Sequence, residues 1–89
     1  MLKITKSEIN ENKVIFKLEG KIMNQWAALL DAECRAELQQ RESVELDCAG
    51  VDFLDQRGVE VLKHLPSPQV TLIGAPGYVT ELLQIGGQS

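Results

Sequence analysis

The sequence predicts a two-layer α/β domain: a mixed sheet of about four strands that opens with an antiparallel hairpin, continues in parallel, and carries its helices on one face. Two observations predict it. Hydrophobic periodicity switches between strand and helix spacing in the order β-β-α-β-α-β-α. Strands separated by helices need parallel crossovers, whereas a short polar turn needs an antiparallel return. The strands also alternate, with Lys17, Glu19, Glu45 and Asp47 on the second face, whereas strands covered on both faces read as unbroken apolar runs. One face of the sheet is therefore expected to be largely wet. The 89 residues contain no repeat, low-complexity tract or linker, so residues 1–89 are expected to form one domain.

Leu2 to Ile9 reads as the first strand, Leu2 and Ile4 alternating with Lys3 and Thr5. Asn10-Glu11-Asn12-Lys13 is turn-like, and Val14 to Glu19 returns as a second strand in which Val14, Phe16 and Leu18 alternate with Ile15, Lys17 and Glu19. Gly20 weakens the end of that strand. Asn24 is the expected N-cap of a helix of about 16 residues. Its apolar stripe is Ala27, Leu30, Cys34 and Leu38, flanked by Trp26 and Leu29, with Asp31, Arg35, Gln39 and Glu42 opposite. Trp26 reads as core rather than interface, although tryptophan is enriched at binding hot spots.

Val44, Leu46 and Cys48 then alternate with Glu45, Asp47 and Ala49 in a central strand, which Ala49-Gly50 is expected to break. After a short apolar-acidic connection the chain restarts as a helix capped by Asp55, with Gly58, Val61, Leu62 and Leu65 on one side. Pro66-Ser67-Pro68 ends it, because proline cannot donate to a helix and restrains its predecessor. Gln69 to Ile73 is the last strand, with Val70 and Leu72 on one face. Gly74-Ala75-Pro76-Gly77 turns into a final helix with Val79, Leu82 and Leu83 on its apolar side, stopped by Gly86-Gly87.

Composition excludes several function classes. The net charge is −4 and the nine basic residues are scattered, which argues against nucleic acid, where clustered Lys and Arg must neutralise phosphates. No apolar run reaches the length of a membrane span, and Met1 to Lys6 lacks the apolar core of a signal peptide, so a cytoplasmic chain without membrane insertion is expected. Cys34 and Cys48 are too far apart for a C-x-x-C motif and read as buried free thiols. His64 is the only histidine, so neither a metal site nor a nucleophile–base pair has support; the reading is a non-enzyme without cofactor.

The stretch Val44-Glu45-Leu46-Asp47-Cys48-Ala49-Gly50-Val51-Asp52-Phe53-Leu54-Asp55-Gln56-Arg57-Gly58 resembles the signature of STAS domains, the anti-sigma-factor antagonist family. Gly50-Val51, Asp55 and Gly58 match at the family's spacing, and the element order is similar over nearly the whole chain. The resemblance implies a bacterial, non-catalytic interaction module in signal transduction and transcription regulation. It implies docking on an anti-sigma-type kinase or other ATPase-fold protein through the start of the central helix, with release when a serine just before the helix glycine is phosphorylated. A phosphate at an interface disrupts it by desolvation and by repelling carboxylates.

This sequence departs from the pattern where the switch should be. Gln56 and Arg57 replace the two hydroxyl residues, and Met23 stands where the family has an acid after the second strand. Docking without the phosphate switch is therefore the first expectation. The contact edge is assigned to Asp55, Gln56, Arg57, Val59 and Glu60, flanked by Asn24 and by Gly74 to Tyr78. Arg57 either faces an acidic partner or pairs with Asp52 or Asp55. Two alternatives stand beside this reading: an accessory subunit docking on the ATPase of an ABC-type lipid transporter, and a small nucleotide or anion binder using the helix N-terminus. The isolated chain is expected to be a monomer or weak dimer.

Overall fold

The computed structural model describes residues 1–87, with side chains as far as Leu83. Its elements are β1 (Leu2–Asn10), β2 (Lys13–Ile22), α1 (Asn24–Leu38), β3 (Ser43–Leu54), α2 (Gln56–His64), β4 (Val70–Ile73) and α3 (Gly77–Gly87). The sheet order is β1-β2-β3-β4, with β1 antiparallel to β2 and the other two pairings parallel. Architecture and strand directions are those the sequence predicts.

The register explains why the helices need cover only one face. Val14, Val44 and Val70 lie side by side across three strands, as do Phe16, Leu46 and Leu72. These rows point into one core with Leu18, Ile22, Leu30, Cys34 and Cys48, all fully buried. On the reverse face Thr5, Lys17, Asp47 and Ile73 form the matching row, and Lys13 forms an ion pair with Glu45. Burying the first set and wetting the second follows from the period of two.

Beyond shifts of one residue at strand ends, three features differ from the sequence reading. β2 continues through Gly20, which takes a left-handed φ of +107° while Lys21 N–H donates to the Met1 carbonyl at 2.9 Å. β3 does not break at Ala49-Gly50; it runs on to Leu54 beside β2. Between Lys17–Asp47 and Glu19–Gly50, and again between Gly20–Val51 and Lys21–Phe53, β3 contributes one residue more than β2. Each extra residue is a bulge that turns the following side chains over. Val51 and Leu54 therefore enter the core while Asp52 and Phe53 face out.

The third correction concerns Asn24, which does not cap α1. Met23 occupies the N-cap position without a side-chain bond, and Asn24 sits in the left-handed region at φ +48°. In α3 the apolar side is Val79, buried, and Leu83, partly buried; Leu82 stands 38% exposed instead. The expected stop at Gly86-Gly87 falls at the limit of the described residues, α3 running through Gly87.

One arginine ties the hairpin to the helical layer. Arg41, just beyond α1, donates Nε to Glu37 at 2.7 Å, Nη2 to Glu8 at 2.5 Å and Nη1 to the Asn10 carbonyl at 2.9 Å. Only a planar guanidinium fork can reach such divergent acceptors at once. Glu37 completes the link through Lys6 at 2.7 Å, and its carboxyl is held below the ordinary range by the Lys6 and Arg41 donors.

Candidate functional site

Because β2, β3 and β4 are parallel, they end along the same edge of the sheet, and each feeds a helix there. The N-termini of α1, α2 and α3 consequently share that edge. Chain connectivity alone thus gathers Asn24, Asp55 to Glu60, and Gly74 to Tyr78 at one end of the molecule.

Asp55 is the joint of this edge. Its Oδ1 accepts from Gly58 N–H at 2.8 Å and caps α2, while its Oδ2 accepts from Asn24 N–H at 3.0 Å. The capping group that the α1 start lacks is therefore supplied by a residue 31 positions along the chain. Partial burial would raise the Asp55 carboxyl, but the backbone amides of Gly58, Asn24 and Arg57, together with the Arg57 charge, bring it below its ordinary value. Gly58 is fully enclosed, and a Cβ there would overlap the Ile22 carbonyl oxygen at the end of β2. α2 can approach β2 so closely only because residue 58 has no side chain.

What the fold leaves free lies next to this joint. Gln56 and Arg57 are both exposed on the first turn of α2. Asp52 pairs with Lys21 at 3.2 Å and Asp55 is bound by backbone amides. Neither forms an ion pair with Arg57, which has none among the described residues. Arg57 instead stands on the rim of an open groove of about 310 Å³ between α1 and α2, lined by Asn24, Ala27, Ala28, Glu60 and Val61.

The remaining expected residues divide. Asn24 and Glu60 join Arg57 at the groove, whereas Val59 turns toward the core and is only partly buried. Gly74 and Tyr78 lie at the start of α3: Gly74 adopts φ +64° beside Asp47 and Ala49, and Tyr78 Oη donates to the Val51 carbonyl at 2.5 Å. They flank the β3 extension and do not line the groove. Trp26 is partly buried against the core, as its reading from sequence has it.

Sequence reasoning missed Phe53 and Lys21. Phe53 stands 42% exposed near the end of β3, with Lys21 Nζ 5.9 Å from its ring centre. Alternation gave no signal for Phe53 because the β3 bulges reset it, and Lys21 lies in the part of β2 beyond Glu19, where the sequence reading ended the strand. Ala27 was legible as part of the α1 stripe and Ala28 carried no signal, but that the two line a groove depends on how α1 packs against α2. Among the described residues no cluster of His, Cys, Asp and Glu that could hold a metal ion is present. No helix there is long and apolar enough to cross a membrane.

The family model of the STAS domain matches residues 4–88. The chain belongs to the STAS family. Among solved structures, this STAS chain is similar to the anti-sigma-factor antagonist SpoIIAA in its unphosphorylated form, at 14% identity and a TM-score of 0.76, covering 96% of this chain and 81% of that one. It is also similar to the STAS domain of an antisigma-factor antagonist from Rhodobacter sphaeroides, at 16% identity and a TM-score of 0.61, covering 82% and 86%. Among curated proteins no match is found. At these identities the two structures speak for the fold, and the fold they share is the mixed four-stranded sheet with three helices described above.

Proposed function

We propose that this STAS domain is a non-catalytic docking module whose contact surface is the first turn of α2 and the groove beside it. Its partner is a regulatory ATPase or kinase-type protein, and contact is not released by phosphorylation at the family's serine position. The observation that carries this reading is the division of labour at the start of α2. Asp55 and Gly58 are consumed by the fold, while Gln56 and Arg57 are exposed and unpaired by any ion pair among the described residues. An exposed cation at the positive end of a helix is mildly unfavourable, by about a few tenths of a kcal/mol, and although its charge is attracted to the Asp55 carboxylate, no ion pair among the described residues holds the guanidinium in place. An acidic side chain on a partner would.

Neither Gln56 nor Arg57 carries a hydroxyl oxygen, and Arg57 has the opposite sign to a phosphate, so the interaction is constitutive in this respect. The anion-binder alternative is weakened by Asp55, whose carboxylate already takes the α2 amides that a phosphate would need. The transporter-subunit alternative uses the same contact surface and differs only in the identity of the ATPase.

The test is an affinity capture from the native host with wild type and Arg57→Glu. One ATPase-type protein retained by the wild type and lost by the variant supports the reading and identifies the pathway. Capture of the same protein by both variants removes Arg57 from the contact. Absence of any specific protein overturns constitutive docking.

A further inference from the structure

The two edges of the sheet are protected unequally. β4 is an edge of four residues lying between Pro68 and Pro76, which limits pairing along it. β1 is nine residues long, contains no proline, and among the described residues pairs only with β2. Its outer backbone groups can be assigned. Met1 and Lys21 extend the β1–β2 register by one step, and the bond from Lys21 N–H to the Met1 carbonyl makes them a hydrogen-bonded pair. Such pairs alternate in an antiparallel ladder, so Lys3, Thr5 and Ser7 bond toward β2, while Ile4, Lys6 and Glu8 present N–H and C=O outward.

The charges along this edge select one self-pairing. We infer that β1 pairs antiparallel with β1 of a second copy of this chain, about a two-fold axis at Ser7. That register sets Lys6 opposite Glu8 of the second copy, and Glu8 opposite its Lys6, using the outward backbone groups of both. Shifting the axis to Lys6 sets Lys6 against itself, and shifting it to Glu8 sets Glu8 against itself. Like charges directly opposite destabilise a strand pair, so the neighbouring registers are disfavoured from both sides. Lys6 and Glu8 project on the α1 side, where Glu37 and Arg41 already orient them while their side chains stay 44% and 56% exposed. Pairing would continue this line of alternating charge across the axis, from Glu37 and Lys6 to Glu8 and Arg41 of the second copy.

The axis is perpendicular to the sheet and yields a continuous eight-stranded sheet with all helices on one side. It also points the two docking edges in opposite directions. Each copy would keep its α2 surface free, so dimerisation and partner binding are compatible.

The experiment is sedimentation equilibrium of the full chain at low ionic strength with wild type, Lys6→Glu, Glu8→Lys and an equimolar mixture of the two variants. The wild type is expected to dimerise, and each variant alone to associate at least about tenfold more weakly, because both cross-axis pairs become repulsive. In the mixture each Glu meets a Lys, and dimerisation returns. Glu8→Pro provides a backbone check: it removes an outward N–H, leaves the β1–β2 ladder intact, and should abolish the dimer with the fold preserved by circular dichroism. A wild type that stays monomeric, a dimer indifferent to Glu8→Pro, or a mixture no tighter than its components would each overturn the inference.

Discussion

Gly58→Ala tests the close approach on which the functional edge is built. In an ordinary helix this substitution stabilises by about 1 kcal/mol, since alanine is the better helix former. Here the added Cβ would overlap the Ile22 carbonyl oxygen, a backbone atom that cannot rotate away. That same carbonyl accepts from Asp55 N–H at 3.3 Å, and Gly58 N–H itself donates to Asp55 Oδ1. Relieving the overlap means moving α2 off β2 and loosening the cap. Overpacking costs about 1–3 kcal/mol and a lost cap about 1 kcal/mol, which together outweigh the helix gain and leave a net loss of about 1–3 kcal/mol. For a domain of this size that lowers the melting temperature by about 5 to 20 °C. Thermal unfolding followed by circular dichroism measures it, with Gly77→Ala as control, because a Cβ at Gly77 meets nothing within 4 Å. A Gly58→Ala variant that melts at or above the wild type would refute the close-approach argument.

Three further outcomes follow from other residues. The Asp55 carboxyl is lowered in the folded state, so the stability it contributes is fully present above its ordinary value of 3.8 and is lost as pH falls through the lowered one. Urea unfolding should therefore show the advantage of wild type over Asp55→Asn shrinking on acidification below that value, and an advantage independent of pH would contradict it. Burial pushes the Cys34 thiol up to about 12 and the Cys48 thiol up to about 11, so neither should react with a disulfide reagent at neutral pH until urea unfolds the chain. Arg41→Lys leaves the charge but not the fork that reaches Glu37, Glu8 and the Asn10 carbonyl, and should lower the melting temperature more than Arg35→Lys, whose fork spans Asp31 and one long bond to the His64 carbonyl.

The parts of the fold legible in the sequence are those governed by a simple period. Val14, Phe16 and Leu18 alternate with charged or half-exposed neighbours, and that alternation gave both the strand and the bare sheet face. It failed beyond Cys48 because two bulges in β3 reset the phase, so a continuing strand read as a connection. Asn24 failed for a different reason. Its residue type suits an N-cap, but the bond that secures the α1 start comes from Asp55, a tertiary contact no local pattern carries. Asp55 itself was legible as a cap because its partner, Gly58, lies three residues away. The groove beside Arg57 was not legible, since it depends on how α1 and α2 pack and on two alanines that leave space between them.

This separation between local and tertiary roles decides which variants can probe docking. Asp55 joins the starts of α1 and α2, so replacing it perturbs the whole edge and lost docking would carry no information about contact. The same holds for Gly58, and for Tyr78 through its bond to the β3 extension. Gln56 and Arg57 differ: both are exposed, and among the described residues neither side chain holds another element in place. A charge reversal at Arg57 removes its attraction to the Asp55 carboxylate but suits the positive end of α2, so the melting temperature should change little, by about 0.5 kcal/mol of stability or less. Docking lost at unchanged stability would then be assigned to contact alone, and Arg57 is where the fold permits that assignment.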